Sequence, residues 1–270
     1  PTAYINQSAF TQIDLAPALL HYDGAGSVVA VLDTGIDLNH PALAGHWISG
    51  WDMVADDDTP QDEGTGLGWG HGTHIAGIIA HLAPASQIMP VRVLDSNGRG
   101  NTFTLAYAID WAVSHGANVI NLSLGADADS HVLHEAIDRA LAQNVIVVAA
   151  AGNDNSDVPQ YPVSYAGVLG VTAVDSANVK ADFANFGRGW VDLAAPGVGI
   201  TSTMVNAEGS GYASWSGTSM ATSFVSGAAA LAHQKFSQAS PAAIAQVLRT
   251  TATNLNGLNP TYFDKLGGLL

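Results

Sequence analysis

Residues 28–32 form an unbroken apolar run, closed off by Gly24-Ala25-Gly26 before it and Asp33-Thr34-Gly35 after it. A β-branched run of that length between turn residues predicts a strand buried on both faces, with Asp33 at its carboxyl end. The pattern recurs at residues 87–94, 117–124, 145–150 and 167–174. Between these runs, residues 102–115 set Phe103, Ala106, Ile109, Ala112 and Val113 near one face at helical spacing and stop at Gly116, a suitable left-handed terminator. Residues 130–143 behave alike. Strands alternating with helices predict right-handed crossovers and a doubly wound α/β fold: a mostly parallel sheet with helices on both faces. In such sheets ligands sit beyond the carboxyl ends of the strands.

The later part of the chain changes character. Residues 199–215 alternate Thr, Ser, Val and Tyr with Gly breaks, as a β-hairpin does. A long helix is expected from near Ser219, its Gly227-Ala228-Ala229-Ala230 stretch small enough to pass close to the sheet. Pro241 suits the first turn of a further helix running towards Thr250. No linker composition and no internal repeat interrupts the pattern, so residues 1–270 are expected to form one domain.

With 47% hydrophobic residues, 29 Gly and 11% charged residues among 270, the chain has material for a large core and short connections. No run is long enough for an uninterrupted membrane span. A net charge of -15, from 8 Lys+Arg against 23 Asp+Glu, argues against a nucleic-acid partner, which needs clustered cations. An acidic surface attracts cations or basic peptides instead. The absence of Cys removes disulfides and thiol chemistry and is compatible with secretion. The opening at Pro1, without an initiator Met, is expected to mark a processed or trimmed form of a longer precursor.

Three segments carry candidate chemistry. Ser219 lies in Gly217-Thr218-Ser219-Met220-Ala221-Thr222, a small-residue approach to a serine followed at once by helix formers. A serine hydroxyl is a weak nucleophile at neutral pH and needs a base, which itself needs an orienting group. His71, in Gly70-His71-Gly72-Thr73-His74-Ile75-Ala76-Gly77, and Asp33, in Val31-Leu32-Asp33-Thr34-Gly35-Ile36-Asp37, supply candidates for both. The order Asp, His, Ser is one of three known orders for the same geometry. Rival readings fare worse. The His71/His74 pair lacks the Glu of a His-Glu-x-x-His zinc helix, so His74 reads as a buried packing residue. Asp37 reads as turn support, and the serine context is not the Gly-x-Ser-x-Gly elbow of α/β-hydrolases. The glycines around 24–26 precede their strand, against a dinucleotide fingerprint.

Taken together, the three blocks resemble the signature segments of the subtilisin-like serine proteases, and the likeness covers nearly the whole chain. The resemblance implies a three-layer fold and a secreted serine endopeptidase, monomeric, acting on polypeptide substrates through an Asp33, His71, Ser219 triad, with a propeptide or protein inhibitor as partner. It implies that Asn153, in Ala149-Ala150-Ala151-Gly152-Asn153-Asp154, donates its side-chain amide to an oxyanion alongside the Ser219 N–H. Gly98, Arg99 and Gly100, with Ser123, Leu124 and Gly125, match the family's two substrate-flanking segments; turn geometry alone is the alternative for their glycines. Ser123 to Gly125, Ala151, Gly152 and Asp154 are expected to line the main specificity pocket, favouring apolar or aromatic side chains with some tolerance for basic ones near Asp154. Tyr161-Pro162 matches a turn that often holds a cis peptide.

For calcium, the acidic stretch from Trp51 to Asp62 resembles a loop that binds the ion in some relatives, with Asp52, Asp57, Thr59 and Gln61 at the ligand positions. Ala55 stands where those relatives carry an acid, and an acidic solvated loop is the alternative. The family's other calcium loop is not expected, because Ile78-Ile79-Ala80-His81-Leu82-Ala83-Pro84 runs straight on without oxygen ligands. Two different functions compete with the protease: a non-catalytic peptide binder on the same fold, and an esterase or peptide ligase using the same acyl-enzyme.

Overall fold

Three short helices open the chain, α1 (Thr2–Ile5), α2 (Ser8–Gln12) and α3 (Leu15–Leu19), none of them expected from the sequence. Polar anchors tie them to the body of the molecule: Tyr4 OH donates to the Gly77 carbonyl at 2.6 Å, and Gln7 exchanges bonds with the backbone of Thr201. The computed structural model, which describes residues 1–270, continues with β1 (Val28–Asp33), β2 (Trp51–Asp52), α4 (His71–Leu82), β3 (Gln87–Arg92), α5 (Thr102–Ser114), β4 (Val119–Leu122), α6 (His131–Ala142), β5 (Ile146–Ala150) and β6 (Leu169–Val174). Then come β7 (Leu193–Pro196), β8 (Ile200–Asn206), β9 (Gly209–Trp215), α7 (Thr218–Lys235), α8 (Pro241–Thr251), β10 (Thr253–Asn254) and β11 (Gly268–Leu269).

The sheet has nine strands in the order β10-β11-β7-β6-β5-β4-β1-β3-β2, parallel except for the β10–β11 pair. The hairpin expected at 199–215 is β8–β9, antiparallel and separate from that sheet. Alternation along β1 distributes its side chains to two cores. Val29 and Val31 join Ile75, Ile78, Phe224 and Val225 of α4 and α7, while Ala30 and Leu32 join Leu105, Ile109, Leu133 and Ile137 of α5 and α6. Both layers are therefore apolar, which is why the central strands read as continuous hydrophobic runs.

The paired parts of several strands are shorter than the apolar runs that announced them. Val93, Ala117, Val145 and Val168 are buried in the second core yet lie outside the ladders, so burial outruns backbone pairing. Helix starts follow local chemistry: the side chains of Asn101, Ser130 and Ser240 each accept from a backbone N–H in the first turn of α5, α6 and α8. From β1 the chain goes on to β3 on one side, and α5 then carries it back across β1 to β4, which leads away on the other side to β5, so the β1/β4 boundary is the topological switch point. The crevice outside the carboxyl ends of these two strands is where such a fold binds its ligand. No helix is long and apolar enough to cross a membrane.

Candidate active site

Asp33 closes β1 and is fully buried. Its carboxylate takes the Nδ1 of His71, the first residue of α4, at 2.8 and 3.0 Å, and accepts the N–H of Thr34 at 2.8 Å. An imidazole whose Nδ1–H is held this way presents Nε2 as the basic nitrogen. Nε2 has no protein partner, and the His71 side chain is one-fifth exposed. Burial lowers the basicity of His71, but the charge and hydrogen bond of Asp33, with a smaller contribution from Asp62, outweigh it and raise its pKa above 6.5. Trp215 stacks at 6.0 Å from the His71 ring and 5.3 Å from that of His74. His74 is buried and bonds the Ala213 carbonyl through Nε2; burial brings its pKa down to about 4, so it stays neutral, as its packing reading requires.

Asp62, which the sequence pattern does not single out, holds the start of the helix that carries His71. Almost fully buried, it accepts the N–H of Gly70 at 3.0 Å, the N–H of Thr73 at 3.1 Å and the Thr73 hydroxyl at 2.6 Å. It thereby satisfies donors at the start of α4 that the helix leaves unpaired. Its own burial, only partly offset by those bonds, lifts its pKa to about 6.

Ser219 is the second residue of α7, reached by the chain straight from the β8–β9 hairpin. Its hydroxyl donates to the Ser123 carbonyl at 3.2 Å rather than to His71. Catalytic hydrogen bonds of this kind often form only when substrate is bound. Asn153 comes shortly after β5; its Oδ1 accepts the Thr218 N–H at 2.9 Å and the Thr218 hydroxyl at 3.1 Å, which leaves its NH2 uncommitted. The Ser219 N–H, in the first turn of an 18-residue helix, has no intrahelical acceptor. Two donors are thus available beside one hydroxyl.

A groove of about 570 Å³ runs past His71, walled by Gly98, Arg99 and Gly100 on one side and Ser123, Leu124 and Gly125 on the other. A second cavity of about 240 Å³ shares the Ser123 to Gly125 wall and is lined further by Gly152, Asn153, Asp154, Thr218 and Ser219. His71 and Ser219 therefore face two cavities that meet at one strip of backbone. Ala151 is the exception among the expected pocket residues: its N–H continues the sheet to the Val171 carbonyl and its side chain is buried, so Ala150 and Gln160 take its place in the lining. Gln160 Nε2 donates to both Asp127 and Asp154 at 3.0 Å, gathering two carboxylates at the rim. Tyr161-Pro162 is cis, and Asp37 accepts the Asn39 N–H at 3.1 Å and the Ser210 hydroxyl.

In the loop expected to bind calcium, each of the four expected ligand side chains already has a protein partner. Asp52 is buried, with one carboxylate oxygen on the Arg92 guanidinium at 2.8 Å and the other accepting the N–H groups of Val54 and Ala55. Asp57 accepts the Thr59 N–H, the Thr59 hydroxyl turns to Asp58, and Gln61 Oε1 accepts the Leu38 N–H. No group of three or more His, Asp or Glu side chains gathers in a way that could hold a metal ion. Asp52, Asp57, Thr59 and Gln61, the expected calcium ligands, are thus engaged in bonds within the protein, Asp52 to a guanidinium.

Comparison with known proteins agrees with this geometry. Residues 24–267 match the model of the subtilase family of peptidases. The chain is 41% identical to thermitase of Thermoactinomyces vulgaris over 90% of its length and 86% of that protein's. It is 42% identical to subtilisin BL of Lederbergia lenta over 87% of both chains. Among solved structures, a cold-adapted subtilisin-like serine proteinase superposes with a TM-score of 0.82 at 32% identity, covering 93% of this chain and 90% of that one. Proteases from Pseudoalteromonas arctica give 0.87 at 29% identity, covering 100% and 94%.

Proposed function

The chain belongs to the subtilase family of serine endopeptidases, and from that premise we propose that it hydrolyses polypeptides through an acyl-enzyme on Ser219. The observation that carries the reading is the Asp33–His71 pair at 2.8 Å, buried at one end and open at the other to a groove that shares its Ser123–Gly125 wall with the cavity lined by Ser219. His71 takes the Ser219 proton as the hydroxyl attacks the scissile carbonyl, then gives it to the leaving amine; Asp33 holds the tautomer and stabilises the imidazolium. The Asn153 amide and the Ser219 N–H receive the oxyanion. An extended substrate lies between Gly98–Gly100 and Ser123–Gly125, bonded through the backbone that all peptides share. The reading takes residues 1–270 as one catalytic domain, secreted and monomeric, with a propeptide or protein inhibitor as its macromolecular partner.

Cleavage mapping on a denatured protein by mass spectrometry, with Ser219→Ala as control, tests it. A chain that merely binds peptides gives no new termini and no labelling by a serine-directed phosphonate.

His71 works as a base only when neutral, and its pKa is raised above 6.5. Accordingly, kcat/KM falls as pH drops through that raised pKa and levels off above it. A pH profile flat from 5 to 9 removes His71 from the base role. The pocket beside Ser219 takes apolar or aromatic side chains, and the carboxylates of Asp127 and Asp154 at its rim extend tolerance to Lys and Arg. Asp154→Asn is expected to lower kcat/KM for substrates with a basic residue before the scissile bond about two- to fivefold, as befits an exposed charge pair, and to leave apolar ones unchanged. Competition between matched peptide substrates reads this directly; equal losses on both would show that the charge has no part.

A further inference from the structure

Asn153 is exposed on a turn, yet an oxyanion donor has to be held to within a fraction of an ångström of its place. Its own side chain is anchored at one point, through Oδ1 on Thr218. The backbone around it is anchored by another residue, one with no direct part in the protease chemistry. Asn185 is almost fully buried behind the turn. Its Oδ1 accepts the N–H groups of Asp154 at 2.9 Å and Ser156 at 3.0 Å, and its Nδ2 donates to the Ala151 carbonyl at 3.0 Å. Its backbone N–H reaches the Gly152 carbonyl at 2.9 Å, and its own carbonyl takes the Thr172 hydroxyl at 2.5 Å from the neighbouring strand β6. Every polar capacity of the side chain but one N–H is thereby spent on residues flanking Asn153 on both sides.

The contact is close. Gly152 has a φ of +101°, and a Cβ there would lie 2.5 Å from Asn185 Nδ2 and closer still to Gln160 Oε1. Only glycine lets the turn press against this amide. Behind Asn185 stands a second brace. Lys180 is buried, and its ammonium reaches Asn155 Oδ1, the Ala181 carbonyl and the Ala184 carbonyl at 2.7 to 2.8 Å while lying 5.2 Å and 4.8 Å from the rings of Phe186 and Tyr262. Residues 181–186 thus form a stiff backing strip for residues 151–156, joined to it also by Asn155 N–H to Phe183 O at 2.7 Å and Phe186 N–H to Ser156 O at 3.0 Å.

We infer that Asn185 is the positioning residue for the oxyanion donor: it fixes the 151–156 turn so that the Asn153 amide stays aimed at the developing charge beside Ser219. The inference rests on the acyl-enzyme reading of Ser219 and on the assignment of Asn153 within it. Asn185 lines neither of the two cavities, so its influence on the oxyanion passes through the turn that carries Asn153.

A double-mutant cycle separates this from general support of the fold. Asn185→Leu is expected to lower kcat about tenfold; any accompanying rise in KM comes from Gly152 and Asp154, pocket residues on the same turn, and is read separately from kcat. In an Asn153→Ala background the same change is expected to lower kcat less than twofold, since there is no donor left to misplace. Asn185→Ser, which keeps one acceptor, should give an intermediate loss that likewise vanishes in that background; it decides the matter if the leucine variant fails to fold. Losses that simply add in the double variants, or single variants with unchanged kcat, overturn the role of Asn185 while leaving the acyl-enzyme standing. If Asn153→Ala itself leaves kcat unchanged, the oxyanion assignment fails and the positioning role falls with it. Phosphonate labelling of Ser219 in each variant tells that outcome apart from loss of the acyl-enzyme mechanism as a whole.

Discussion

Ser219→Ala is expected to lower kcat by about 10⁶-fold, a scale set by removal of the serine from subtilisin, a member of the same family. The size of the loss comes from the dependence of each group on the others. Asp33 is fully buried and holds Nδ1 of His71 at 2.8 Å, an arrangement whose chemical use is to make Nε2 a directed base. A base without a nucleophile beside it does nothing, so removing the hydroxyl removes the whole contribution of the pair. His71→Ala should therefore cost about as much, and the double variant little more than either alone, because the residues act as one unit. Steady-state kinetics on a chromogenic peptide, with burst titration of the acyl-enzyme, reads all three. Ser219 rests on the Ser123 carbonyl in this structure, so the proposed attack requires a swing of its side chain towards His71. Additive losses in the double variant would show two groups working separately and would end the triad reading.

The next largest effect is expected at Asn153. Asn153→Leu should lower kcat by about 10²–10³, or roughly 3–4 kcal/mol of transition-state stabilisation, with little change in KM; the magnitude is that of the corresponding residue in subtilisin. The physical reason lies in which atoms are committed. Asn153 Oδ1 is fixed by the N–H and hydroxyl of Thr218, the residue just before the nucleophile, so the amide hydrogens are the part left to work. A carbonyl in the ground state gains little from them, whereas an oxyanion gains much, and the effect therefore appears in kcat. The measurement is kcat and KM on one peptide substrate for Asn153→Leu and Asn153→Ala. A rise in KM at constant kcat would place Asn153 in substrate binding instead.

Much of this architecture is legible in the sequence because the apolar runs are long and their boundaries chemical. Asp33 at the end of the 28–32 run falls where a buried parallel strand meets the ligand crevice, and His71 and Ser219 each open a helix after a glycine-rich approach. The features that escape such a reading are held by tertiary contact rather than pattern. The three helices before residue 20 have four or five residues each, too short to show a period, and exist because Tyr4 and Gln7 find partners more than seventy residues away. Asp62 hides in a run of acids, where the sequence suggests solvent or cation; only the fold shows it capping α4. Ala151 reads as a pocket residue from its neighbours, but the sheet reaches one residue further than the pattern implies and claims it through its N–H to Val171. Asn185 leaves one weak signal, an amide between the aromatic-flanked residues of Phe183-Ala184-Asn185-Phe186. The loop at 52–61 shows a different limit: a set of oxygen donors in the sequence does not reveal that Arg92 pairs with Asp52.

The proposed base and nucleophile, His71 and Ser219, are carried by the first turns of α4 and α7, and those two helices touch each other deep inside the molecule, where a Cβ on Gly227 would come within 2.6 Å of Leu82. The segments proposed to flank the peptide, around Gly98 and Gly125, are loops outside that contact. The proposed reactive pair and these flanking loops thus lie on separate pieces of the chain. Lineages descending from such a scaffold can redraw what they cut by rewriting rim loops, while the machinery that cuts is guarded by the same interior packing that keeps the protein folded.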